Sequence, residues 1–151
     1  MKKVLYALVI LIACSGFLGS ASFLMLSAVN DDRADKDDII EFVCQNEEAL
    51  LQAIKRGKLS EFENTGVIGE IDASIAVVDF SCGGAGMGSG TSYVGFYYTP
   101  YHDMAAVWCS PPSADLLIPC GNGFEWREQN GDNRYYTEQI CGKFYYYEAS
   151  F

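Results

Sequence analysis

The chain contains a single histidine, His102 in the stretch TPYHDM, so a general base with an unperturbed pKa near neutrality is available at one position only. Its neighbour Asp103 is too close in sequence to orient it as a triad partner, and a loop histidine beside an aspartate reads as surface. Glycosidase-type chemistry needs two converging carboxyl groups. Glu125, beside Trp126, is the candidate for one of them, and no second acid is singled out by spacing. The run CGGAGMGSGTS, Cys82 to Ser92, has the glycines of a phosphate loop but no lysine after them, and a strand-like segment rather than a helix follows. It is expected to join two strands as a flap. No Gly-x-Ser-x-Gly elbow, no HExxH and no metal-ligand spacing occurs, so no catalytic residue, metal or cofactor is expected.

Five cysteines lie beyond the N-terminal apolar run. Cys44 sits beside a helical apolar stripe and reads as a buried thiol. Cys82, Cys109, Cys120 and Cys141 fall at expected strand ends or turns and are the disulfide candidates in an oxidising exterior. Cys109 with Cys120 is the most local pair, closing a loop of about 12 residues for roughly 3 kcal/mol if the geometry fits. Zinc is the rival, but there is no C-x-x-C knuckle, and free thiols are the remaining alternative.

Aromatic residues are the other chemical resource. Nine of the ten tyrosines follow the apolar run, many as adjacent pairs, so some strands must carry rings on both faces. A sheet covered on both sides explains this structurally. With one face open, Tyr98, Tyr101, Trp126, Tyr136 and Tyr146 would instead form an aromatic surface for a peptide, protein or glycan.

The elements that must position these residues begin with a leader. Val4 to Val29 is 26 residues without a charge, preceded by Lys2 and Lys3. That length suffices to cross a bilayer, and lysines on the near side predict an N-terminus held in the cytoplasm with the remainder outside. An uncleaved signal anchor uses the whole run, residues 4–29, as the membrane contact. Leu11-Ile12-Ala13-Cys14 also matches a lipobox with Cys14 as the lipidated residue, and Gly19 and Ala21 could flank an ordinary cleavage site. All three fates place residues 31–151 outside the cytoplasm.

Residues 31–38, DDRADKDD, read as an acidic tether. A helix then follows over 39–56: Asp37 or Asp38 can cap it, Ile39, Ile40, Phe42, Val43, Leu50, Leu51 and Ile54 recur with a 3.6-residue period, Lys55 and Arg56 suit its last turn and Gly57 its C-cap. Strands are expected at 74–81, 92–99, 105–109, 116–118, 123–128, 133–140 and 144–151, with Asn130-Gly131 in a hairpin. Residues 1–30 are thus a leader, 31–38 a tether and 39–151 one α+β domain: an amphipathic helix packed on an antiparallel sheet of about five to seven strands, preceded by a single transmembrane or signal helix.

Charge narrows the partners. After the leader, 8 basic residues face 20 acidic ones, and the only basic cluster is Lys55, Arg56 and Lys58, so nucleic acid is not an expected partner. The segments IAVVDF, SYVGFYYTP, GNGFEW, GDNRYYTEQI and FYYYEASF, spanning residues 75–151, resemble a group of small bacterial proteins with a hydrophobic or lipoprotein-type N-terminus, a helix and a Tyr-rich β domain. The resemblance implies an envelope-attached or secreted location. It brings no catalytic residues, and the cysteines lie outside its pattern. The residues themselves read as a non-enzymatic binding module of the cell envelope, with a carboxylate-dependent hydrolase acting on envelope glycans or a purely structural surface protein as the alternatives.

Overall fold

In the computed structural model, residues 33–63, 65–73, 77–87, 90–101 and 116–151 are described. The leader, with Cys14, lies outside them, as do Tyr6 and the expected strand at 105–109. Among the described residues no helix is long and apolar enough to cross a membrane.

Among the described residues one α-helix, a short 3-10 helix and seven strands carry the fold. Helix α1 spans Lys36–Arg56. The strands are β1 Glu70–Ala73, β2 Val78–Ala85, β3 Ser92–Tyr98, β4 Ile118–Cys120, β5 Gly123–Arg127, β6 Arg134–Cys141 and β7 Phe144–Ser150. They form a single sheet in the order β1-β2-β3-β7-β6-β5-β4, and every neighbouring pair is antiparallel. The expected α+β class and strand number therefore hold.

The C-terminal strand is central, between β3 and β6. Its register with β3 pairs Phe96 with Tyr146 and Tyr98 with Phe144 on one face, and Tyr97 with Tyr145 and Gly95 with Tyr147 on the other. Because side chains alternate, each strand feeds rings to two separate cores. On the helix side Phe80 stacks on Phe96 at 4.4 Å, and Ile39, Val43 and Leu50 of α1 cover them. On the opposite side Tyr97 stacks on Tyr145 at 5.2 Å, with Tyr135, Tyr147 and Ala149 buried around them.

Helix α1 starts earlier than its apolar stripe. Asp35 is the N-cap, without a side-chain capping bond, in place of the expected Asp37 or Asp38. The reason lies just upstream: the Ala34 N–H donates to the Cys82 carbonyl at 3.0 Å, and Arg33 donates to Ser92 Oγ at 3.2 Å, so residues 33–35 are tied to β2 and β3 rather than solvated as a tether. Asp37 and Asp38 then lie in the first turn, where negative charge favours the helix dipole. The C-terminus is as expected. Gly57 is left-handed at φ 65°, its N–H bonds to Ile54 O and the Lys58 N–H to Ala53 O, which is a Schellman closure.

Two turns differ from the sequence expectation. Strand β2 runs on to Ala85, shortening the glycine flap, and the β5–β6 connection closes with Glu128 N–H on Asn133 O at 2.9 Å, a longer loop than a two-residue Asn-Gly turn. Strand β1, with only Ile71 turned to the helix-side core, was not expected at all.

Gly95 shows how tightly the centre is built. A Cβ there would stand 2.4 Å from the Phe80 carbonyl oxygen and 2.8 Å from the Tyr147 ring, which lies across the glycine. Gly95→Ala is expected to lose about 1–3 kcal/mol by overpacking. Phe96→Ala, which empties the stacked pair, is expected to lose about 3–5 kcal/mol. Urea denaturation of the two variants against the parent chain measures both.

Candidate functional site

Strand alternation places Glu70 and Asp72 of β1, Asp79 and Ser81 of β2, Tyr93 of β3 and Tyr147 of β7 on the face away from α1. There they line a cleft of about 240 Å³. Asp72 and Asp79 are direct cross-strand partners, a like-charge pairing that costs stability. Asp79 is the inner member. The Tyr147 hydroxyl donates to its Oδ2 at 3.5 Å, and its Oδ1 is buried with no hydrogen-bond partner among the described residues.

Burial is the main reason that the Asp79 carboxyl is raised from 3.8 to about 6. The hydrogen bonds from Tyr147 and the Phe80 backbone oppose that rise, while Asp72 and Glu70 add to it. No lysine or arginine among the described residues lines the cleft. Among the described residues no group of three or more histidine, cysteine or acidic side chains is arranged to hold a metal ion. The arrangement is an acidic, ring-walled recess whose Asp79 carboxylate, ionised above about pH 6, would accept an ammonium or guanidinium group.

The second cavity, about 180 Å³, lies on the helix side against Arg33, Lys36, Val94, Tyr146 and Glu148. Its two basic groups are already engaged, Arg33 with Ser92 and Lys36 with Glu138. Lys36 Nζ is 2.7 Å from Glu138 and lies 5.1 and 5.2 Å above the Tyr136 and Tyr146 rings, and the Tyr136 hydroxyl donates to Glu138. This is a clasp between α1 and the sheet.

Glu125 is on the helix side too, and its side chain is 12% exposed. Its Oε2 receives Arg127 at 3.2 Å, and Arg134 stands at 3.6 Å. The hydrogen bond from Arg127, first, and the charges of both guanidinium groups hold the carboxyl below its usual range, which suits a structural anion and not a proton donor. Asp79 is across the sheet from it, so the two do not converge.

The five candidate surface rings do not gather on one face. Tyr146 is buried in the helix-side core with Tyr98 and Tyr136 packed against it, Trp126 packs on the opposite core, and Tyr101 stands in the turn after β3, 74% exposed. Nor do the disulfide candidates meet. Cys82, Cys120 and Cys141 are free thiols on β2, β4 and β6, which the strand order sets about 10 Å or more apart, beyond the roughly 7 Å that a bridge can span. Cys82 lies inside β2, and burial pushes its thiol up to about 12. Cys109, His102 and Asp103 lie outside the described residues.

Asp79 escaped the sequence reading. Its signal was a single acid inside the apolar run IAVVDF, at a position where alternation turns it away from Val78 and Phe80. Compared with known protein families, with characterised proteins and with solved structures, the chain matches none.

The carboxyl of Asp79 makes stability pH-dependent in a definite direction. Its pKa is higher folded than unfolded, so the folded chain binds the extra proton and this group's contribution is most favourable below pH 4. That contribution is lost as pH rises through 4 to 6, on the order of 2–3 kcal/mol. Asp79→Asn is expected to be more stable than the parent at pH 7.5 and close to it at pH 4, with the difference read from urea midpoints at the two pH values.

Proposed function

We propose that this chain is a membrane-attached, extracytoplasmic binding module without catalytic activity, whose cleft at β1–β2 captures a cationic side chain from a peptide or protein segment. The carrying observation is Asp79, a half-buried carboxyl whose Oδ1 is buried and unpaired, in a recess lined by three acids and, among the described residues, no cation. A cation entering it relieves the Asp72–Asp79 opposition and satisfies Oδ1 together.

Size supports a side chain over a larger ligand. At about 240 Å³ the recess is below the ~300–1,000 Å³ of pockets that enclose drug-sized molecules. Among the described residues strand β1 is an outermost strand of the sheet, paired to β2 alone, and that edge can align an extended segment beside the recess. The location rests on the leader: 26 uncharged residues with lysines on the near side only. The alternative of a carboxylate hydrolase acting on envelope glycans lacks this support, because Glu125 is neutralised by Arg127 and Arg134. A purely structural surface protein would leave the Asp79 carboxyl without a use.

The test is titration of the detergent-solubilised full chain with two short extended peptides, one alternating valine with lysine and one alternating valine with glutamate. The lysine peptide is expected to bind, to weaken at least about fivefold with Asp79→Asn, and to weaken further as salt rises. Equal binding of both peptides, or an Asp79→Asn affinity equal to that of the parent, would contradict the reading.

A further inference from the structure

On the side of the sheet away from the cleft, the end of β6 departs from regular alternation. The β6–β7 register shifts between Gln139 and Cys141, and as a result the consecutive residues Ile140 and Cys141 both pack against the helix-side core. A regular strand would send them to opposite faces. The bulge therefore aims the Cys141 thiol at α1.

The element it meets is the middle of the helix. Cys44 and Glu47, one turn apart on α1, are the helix groups close enough to the Cys141 thiol to raise its pKa. The neighbouring turn shows the same approach independently: a Cβ on Gly142 would stand 2.2 Å from Glu47 Oε1. Gly142, at φ 51°, leaves the room that brings helix and turn this close. Both thiols are free in the structure, Cys44 exposed and Cys141 half-buried.

We infer that Cys44 and Cys141 are a dithiol pair that closes to a disulfide, fastening α1 to the β6–β7 turn when the chain meets a disulfide-bearing oxidant. Solvent-facing Cys44 reacts first: its thiolate attacks the oxidant's disulfide, forming a mixed disulfide and releasing one oxidant thiol. Cys141 then attacks Cys44 Sγ and expels the second oxidant thiol. One S–S bond forms in the protein as one breaks in the oxidant, and the two protons and two electrons leave the cysteines for the oxidant's sulfurs. Burial and the neighbouring Cys44 and Glu47 push the Cys141 thiol up to about 12, so Cys141 makes a poor first attacker and fits the second role. The pair is separate from the acidic cleft and does not depend on the binding reading.

The bridge would close a loop of roughly 100 residues, the range in which restriction of the unfolded chain is largest. The test treats the folded, detergent-solubilised full chain with glutathione disulfide, quenches with acid, alkylates, and maps peptides without reduction. The expected result is a Cys44–Cys141 cross-linked peptide as the main product and a melting temperature about 10 °C or more above the reduced chain. Cys44→Ser should abolish that rise and leave Cys141 open to alkylation after unfolding, whereas Cys120→Ser should change neither. Recovery of Cys44 and Cys141 both alkylated, or of either joined mainly to Cys82, Cys109 or Cys120, would overturn the inference. The mapping of the parent chain decides this even if a variant folds poorly.

Discussion

The constraint on which the rest depends is that β3 and β7 lie side by side with rings buried on both of their faces. Backbone bonding within the sheet can satisfy only main-chain groups, so each buried phenol needs its own partner. Tyr97 meets this through Thr137 at 3.0 Å, and Thr137 in turn donates to the Tyr146 carbonyl at 2.8 Å. Burial raises the phenols of Tyr97, Tyr147 and Tyr146 well above their ordinary range, so they stay neutral donors and not buried anions.

Covering both faces also separates two kinds of chemistry. The helix side is closed by paired charges, with Lys36 on Glu138 and Arg127 and Arg134 on Glu125, and it brings Cys44 near Cys141. The other side ends at β1, whose exposed acids line the cleft with Asp79, and no cation among the described residues balances them. Most of the tyrosines are therefore structural, and the unbalanced charge lies at the margin of their core.

Much of the fold was legible in the sequence because its signals are local. The 3.6-residue stripe and Gly57 marked the helix, and the alternation in SYVGFYYT and FYYYEASF marked two strands. What escaped depends on partners far along the chain. The helix start moved because Ala34 and Arg33 bond to β2 and β3, and β1 is too short and polar to announce itself without β2. The set Tyr98, Tyr101, Trp126, Tyr136 and Tyr146 mixed two faces, because pairing order decides which rings meet. Likewise, Cys44 read as a lone buried thiol until a bulge in a distant strand turned Cys141 toward it.

The most direct measurement is native-state hydrogen exchange, resolved by residue. Two-sided burial requires the amides of Phe96, Tyr97, Tyr145 and Tyr147 to exchange slowest, only through global unfolding, while those of β1 and β4 exchange through local opening. Exchange in β3 and β7 as fast as in β1 and β4 would contradict the account, since strands with one open face would then form the centre of the sheet.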